Sequence, residues 1–292
     1  MIFGIDNAEN KKAALALGMF DGIHIGHIAV LQSAINSGLF PVAVTFFDTQ
    51  KNKNKLIMSP EKKKDILLGM GFKQVVMMNY EAVKNWLPLP YLSSLRMNFD
   101  PELICCGENY RFGINASAGV DILEDYCRNH GIKTNIIPKV CDNNGNVVAS
   151  TSLRKMISEG RVEEANELMI SRFSFTKNVM RGDGIGHELG FPTINQELPG
   201  ELIVPKFGVY ASKVSVNDQV FDAVTNIGIR PTRPSDNPIC ETHIIGFSDN
   251  IYDSEVTVKL CKFLREEMKF ETKEQLAEAI CNDIKTVQKE NE

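Results

Sequence analysis

Residues Leu15-Ala-Leu-Gly-Met-Phe-Asp-Gly-Ile-His-Ile-Gly-His27 constrain this chain more than any other stretch. The run begins apolar, as a buried strand does. It breaks at Gly18, turns through Phe20-Asp21-Gly22, and ends in His24 and His27 around Gly26. From there Ile28, Leu31 and Ile35 recur at helical spacing. Strand, tight turn and helix in that order expose backbone N–H groups and a helix N-terminus to an anion. The two histidines add donors able to carry positive charge beside a phosphate. The stretch reads as a triphosphate site.

The segments that follow repeat the alternation. Ala13 to Leu17, Phe40 to Phe47, Gln74 to Met78, Leu103 to Cys106 and Ile132 to Ile137 read as strands. Gly26 to Asn36, Ser59 to about Leu68 and Val120 to Arg128 read as helices, the second opened by a Ser cap and Pro60. Short apolar strands alternating with helices predict a Rossmann-like α/β domain with a parallel sheet, whose ligands bind at the carboxyl ends of its strands. After Lys139 the pattern changes. A helix is expected over Leu153 to Met169, punctuated by Gly160. Short runs follow: Phe173 to Val179, Leu202 to Pro205, Val209 to Val216, Phe221 to Ile227, Cys240 to Phe247 and Glu255 to Phe263. Turn residues separate them, which predicts a small antiparallel β-barrel. A terminal helix opens at Thr272, with Gln275 completing a capping box. The expected domains are residues 1–168 and 169–292.

The 292 residues are enough for two ordinary domains, and a net charge of −5 gives no general attraction to nucleic acid or anionic membrane. No apolar run approaches the ~20 residues of a membrane span, and no signal-peptide core is visible. The reading is a cytoplasmic protein with small-molecule substrates. Seven scattered cysteines, none in a CxxC pair, fit reduced thiols.

Two further motifs lie where a parallel sheet would present ligand loops. Gly107-Glu-Asn-Tyr-Arg-Phe-Gly113 follows a strand and offers Asn109 and Arg111. Ser150-Thr-Ser-Leu-Arg154 opens a helix; its hydroxyls are caps or phosphate ligands, and Arg154 suits the same phosphates. In the second half, Gly182-Asp-Gly-Ile-Gly-His-Glu-Leu-Gly-Phe-Pro-Thr-Ile-Asn195 sets a glycine loop, including Gly186, before Thr193 and Asn195. Two hard oxygen donors at alternate positions of an extended segment share a face, so both could reach one Mg²⁺–phosphate group.

The opening stretch resembles the signature of the nucleotidyltransferase superfamily. With Gly107 to Gly113, Ala149 to Arg154 and the PTxN segment, the chain resembles the bacterial bifunctional riboflavin kinase/FAD synthetases. Gly208-Val-Tyr210, Asn226-Ile-Gly228, Arg230-Pro-Thr232, Glu241-Thr-His243 and Arg265-Glu-Glu-Met-Lys-Phe270 continue the likeness in order. The resemblance implies two activities. One phosphorylates riboflavin to FMN with ATP and Mg²⁺, with Glu241 as the catalytic base, Thr193 and Asn195 on metal and nucleotide, and Arg265 on the flavin. The other adenylylates FMN to FAD and releases pyrophosphate. There Gly18, Phe20, Asp21, Gly26, Ser150, Thr151 and Arg154 serve the nucleotide, His24 and His27 the triphosphate, and Asn109 and Arg111 the flavin substrate. Gly182 and Gly186 would serve the kinase nucleotide. Four segments depart from the family pattern. Phe46-Phe-Asp-Thr-Gln50 replaces an FDPHP-like run, His187 stands for Arg, Ile194 for Ala, and Met169-Ile-Ser-Arg-Phe173 for LGRPY. Three rivals stay open at this point: a kinase alone, a transferase for another phosphorylated acceptor, and a non-catalytic flavin or nucleotide sensor.

Overall fold

The computed structural model describes residues 12–48, 55–182, 185–217, 219–229 and 237–289, without the side chains of Ile185 and His187. Thr49-Gln50, Asp183-Gly184, the His187 side chain and Arg230-Pro-Thr232 therefore lie outside the described residues. Contact density divides the chain into two units, Met1–Ser150 and Thr151–Glu292.

The first unit is a five-stranded parallel sheet in the order β3-β2-β1-β4-β5. Its strands are β1 (Ala13–Leu17), β2 (Phe40–Phe46), β3 (Gln74–Met78), β4 (Pro101–Gly107) and β5 (Lys133–Ile137). The central strand β1 is buried at every residue, because helices cover both sheet faces. Leu15 and Leu17 join one apolar cluster, and Ala14 and Ala16 the other. The helices are α1 (Ile25–Ile35), α2 (Pro60–Gly69), α3 (Tyr80–Val83), α4 (Pro88–Phe99) and α5 (Val120–Asn129). Ser59 caps α2 by accepting from the Lys62 N–H at 3.2 Å, as its Ser-Pro start predicts. Helices α3 and α4 were not expected. Asn79 caps the first, and Pro88 and Pro90 sit in the first turn of the second, where proline removes no helical hydrogen bond.

The expected helix from Leu153 to Met169 is two: α6 (Ser150–Ser158) and α7 (Val162–Glu167). Gly160, at φ +85°, separates them. Within the second unit α7 lies on the barrel, where the Asn166 amide donates to Leu260 O at 2.9 Å and accepts from Phe173 N at 2.8 Å.

The barrel strands are β6 (Ser174–Asn178), β7 (Thr193–Glu197), β8 (Gly208–Val216), β9 (Gln219–Gly228), β10 (Ile239–Ile244) and β11 (Glu255–Arg265). They pair antiparallel in the order β6-β11-β8-β9-β10-β7. The sheet nearly closes on itself: Met180 N donates to Asn195 O at 2.7 Å, and the buried Gln196 amide donates to both Lys177 O and Val256 O. Leu202 to Pro205, expected as a strand, is not one. Prolines at 199 and 205 bound a run too short to enter the ladder. A one-turn helix, α8 (Ile185–Glu188), precedes β7, and α9 (Lys273–Lys289) closes the chain. Val287 of α9 packs with Val209, Ala211 and Val224 on the outside of the barrel. The capping box is shifted: Gln275 N donates to Thr272 Oγ1, but the Gln275 side chain accepts from Glu271 N. No helix among the described residues is long and apolar enough to cross a membrane.

Two candidate active sites

The first site sits where β1 ends. The turn to α1 is held in an unusual conformation, with Phe20 at φ +49°, Gly22 at +81° and Ile23 at +37°. For the two residues with side chains this is a costly region, of the kind that recurs at ligand sites. Gly18 makes the turn possible sterically, since a Cβ there would stand 2.6 Å from the Phe20 ring. Asp21 is 1% exposed and its carboxylate accepts the Ile57 N–H at 3.0 Å and the Met58 N–H at 3.3 Å. Asp21 thus ties the segment before α2 to the turn. Ser150, at the start of α6, donates to Asp21 O at 2.9 Å. Thr151 is exposed and Arg154 is half-buried one turn along the helix.

His24 is the N-cap of α1, and its Nδ1 accepts the His27 N–H at 3.4 Å. Accepting there leaves the proton on Nε2 in the neutral ring. The two imidazoles stack with centroids 3.7 Å apart, and Phe20 meets His27 edge-on at 5.4 Å. Gly26 allows the stack, because a Cβ on it would press on the His24 ring at 3.2 Å. Burial pushes the His24 pKa down to about 4. Burial, and then the neighbouring His24 and Lys63, hold His27 well below the usual histidine range. Both rings are therefore neutral near pH 7, and offer hydrogen bonds rather than the positive charge expected from the sequence. The Nδ1 of His27 is buried with no hydrogen-bond partner among the described residues.

The cation that sequence reading missed is Lys63. It lies 2% exposed on α2, and its ammonium donates to Met19 O and Phe46 O at the ends of β1 and β2. Burial pushes its pKa down to about 8, against the opposing pull of Asp21 and Asp48. The signal was present: Lys63 falls four residues before Leu67, on the stripe of α2 that faces the core. Asp48, from the segment that replaces FDPHP, accepts from Tyr80 N at 2.8 Å. At the end of β4, Asn109 and Arg111 are both exposed on their loop.

One stability effect follows. The His24 ring takes a proton near pH 6.5 when unfolded but only near 4 when folded. Between those values the unfolded chain holds more protons, so acid destabilises the fold. The loss from this ring is up to about 3 kcal/mol on complete passage through that window. Thermal melts across pH 4 to 6.5 should show a falling midpoint, and His24→Gln should flatten the fall.

The second site is a row across the barrel. Register places Asn195 of β7 opposite Glu241 of β10, and Glu241 opposite Asn226 of β9. Val209 and Arg265 continue the row through β8 and β11. Directly opposed residues share a face, and so do Thr193 and Asn195 two apart, so Thr193, Asn195, Glu241 and Asn226 gather on one outer face. Gly182 and Gly186 pack against the first two. A Cβ on Gly182 would stand 2.2 Å from Asn195 Nδ2, and one on Gly186 would stand 2.5 Å from Phe191 O and 3.3 Å from Thr193 Oγ1. His243 fixes Pro192, with Nδ1 2.8 Å from its carbonyl oxygen and Phe191 edge-on to the ring at 5.7 Å.

Arg265 ends the row in an ion pair with α9. Its Nε and Nη2 donate to the Asp283 carboxylate of α9, the shortest contact 2.8 Å, and Nη1 donates to Glu266 O. A guanidinium engaged on every nitrogen anchors the segment 265–270 to α9. Glu267 of that segment lies over Gly228, where a Cβ would stand 2.1 Å from its Oε1, and beside Asn226 at 3.5 Å.

Comparison with known proteins divides the chain between two family models. A family model described as FAD synthetase matches residues 6–152, and one described as riboflavin kinase matches residues 169–290. A protein of Buchnera aphidicola subsp. Schizaphis graminum named bifunctional riboflavin kinase/FMN adenylyltransferase is 30% identical, over 99% of this chain and 98% of its own. The chain belongs to the bifunctional riboflavin kinase/FAD synthetase family. A family member of the same name from Bacillus subtilis is 28% identical over 94% of this chain and 91% of its own. A solved structure described as a macrolide-efflux protein from Streptococcus pneumoniae superposes with a TM-score of 0.87, covering 99% of this chain and 97% of that one. At 23% identity that likeness shows the fold alone. The family's two parts, a parallel-sheet nucleotidyltransferase unit and an antiparallel kinase barrel, are both present in this chain.

Proposed function

We propose that this chain makes FAD from riboflavin in two steps, at two sites. Residues 169–292 phosphorylate riboflavin to FMN with ATP, and residues 1–168 join FMN to AMP from a second ATP. The single observation that carries the reading is the barrel row. It sets one carboxylate, Glu241, in register between Asn195 and Asn226, with Thr193 on the same face and glycines clearing the ground beside it.

In the kinase half, the Glu241 carboxylate accepts the proton of the riboflavin 5′-hydroxyl as that oxygen attacks the γ-phosphorus, and ADP departs. Thr193 Oγ1 and the Asn195 side-chain oxygen are hard donors on one face, a set that fits Mg²⁺. The ion would neutralise phosphate charge there. Gly182 and Gly186 leave space for the nucleotide. Arg265 holds the 265–270 segment, and through it the flavin edge of the site.

In the transfer half, an FMN phosphate oxygen attacks the α-phosphorus and pyrophosphate leaves. No covalent enzyme intermediate is needed, and catalysis is positioning and charge stabilisation. His24 offers its Nε2–H, His27 a ring whose Nδ1 is unmatched among the described residues, and the N-terminus of α1 its backbone N–H groups. Gly18, Phe20 and Gly26 shape the turn, and Asp21 braces it. Ser150, Thr151 and Arg154 serve the phosphates, and Asn109 and Arg111 the FMN. The protein works in the cytoplasm on small molecules, without nucleic-acid or membrane partners.

The test is to incubate pure protein with riboflavin, ATP and Mg²⁺ and to separate the flavins over time. FMN should rise and then give way to FAD. Accumulated FMN without FAD would instead favour a kinase alone. Within this reading, Gly186→Ala should cut FMN formation at least about tenfold, because its Cβ displaces the Phe191 carbonyl and with it Thr193. FAD formation from supplied FMN should be unaffected.

A further inference from the structure

The loop Gly107 to Gly113 holds Arg111 between two anchored rings. Tyr110 and Phe112 stack with centroids 5.6 Å apart. Tyr91 of α4, 4% exposed, shares a hydroxyl hydrogen bond with Tyr110 at 2.9 Å. Phe112 pairs with Ala118 through two backbone hydrogen bonds of 3.1 Å. With its neighbours turned inward, Arg111 is thrown outward. Its guanidinium rests on Gly119, the N-cap of α5. A Cβ on Gly119 would stand 2.7 Å from Nη1 and 3.3 Å from Cζ. Gly119 itself lies at φ −119° and ψ −165°, extended backbone that any residue adopts. The backbone has no need of glycine at this position. The guanidinium does.

We propose that Gly119 is a positioning residue for the acceptor substrate. Its bare Cα is the seat that fixes the Arg111 guanidinium, and the Tyr91–Tyr110 pair sets the loop above it. The inference rests on the reading of Arg111 as a group that holds FMN in the transfer half-reaction. A methyl group on the seat moves the guanidinium by about an ångström, a displacement that is costly where a charged group must meet its partner. The atoms that must yield, Arg111 Nη1 and Asp121 Oδ1, are ends of flexible side chains, so the fold has room to absorb the change.

The test compares Gly119→Ala, Arg111→Ala and the double variant in full-length protein. FMN and ATP are supplied and FAD formation is followed, with riboflavin phosphorylation as the internal control. Gly119→Ala should raise the KM for FMN about tenfold, with riboflavin phosphorylation unchanged. In the Arg111→Ala background it should have no further effect, because residues that act through one contact are not additive. A merely structural role would add its full cost in both backgrounds. An unchanged KM in Gly119→Ala, or full additivity, overturns the inference while leaving Arg111 its role. A silent Arg111→Ala overturns both. If Gly119→Ala fails to fold, Tyr91→Phe carries the same test. It adds no atom, and it must raise the KM only where Arg111 is present.

Discussion

Replacing His27 with alanine should stop FAD formation and leave FMN formation untouched. The ring completes the stack on His24 and meets Phe20 edge-on, so its loss removes a donor and loosens the cap of α1 together. Removing one preorganised donor of this kind typically costs about 10²–10³-fold in rate. The barrel is a separate unit with its own nearly closed ladder and its own helix, so it has no reason to respond. Flavin chromatography on the purified variant, given riboflavin and ATP, should show FMN at the wild-type rate and no FAD. Equal loss of both products would mean that the two activities share a site.

Glu241→Gln should do the reverse. Glutamine keeps the shape and some hydrogen bonding at the centre of the row but accepts no proton. A positioned base contributes about 10²–10⁴-fold, and FMN formation should fall by that order. Supplied with FMN and ATP, the same variant should make FAD normally. A Glu241→Gln protein that phosphorylates riboflavin at the wild-type rate would remove Glu241 from the role of base.

Much of this was legible in the sequence because local patterns and tertiary burial agree. The apolar run of β1 is buried along its full length, and Ser59-Pro60 opens α2 as its capping chemistry dictates. The i, i+2 spacing of Thr193 and Asn195 correctly implied a shared face, since both lie on β7. What was hidden depends on distant contacts. Nothing local reveals that Asp283 of α9 engages Arg265, or that Lys63, in a run of three lysines, is buried under two strand-end carbonyls. The neutrality of His24 and His27 was likewise invisible, because burial sets it and burial belongs to the fold. Helix α4 was obscured by its own prolines, which read as breaks although they occupy the turn that tolerates them.

The central claim is that one chain uses two ATP molecules at two phosphorus atoms. It is tested most directly by tracing label from ATP carrying radioactive phosphorus at either the γ or the α position, with riboflavin as the only flavin supplied. The account predicts γ label in both FMN and FAD, α label in FAD and never in FMN, and release of pyrophosphate in step with FAD. Absence of γ label from FMN, or of α label from every flavin product, would contradict it.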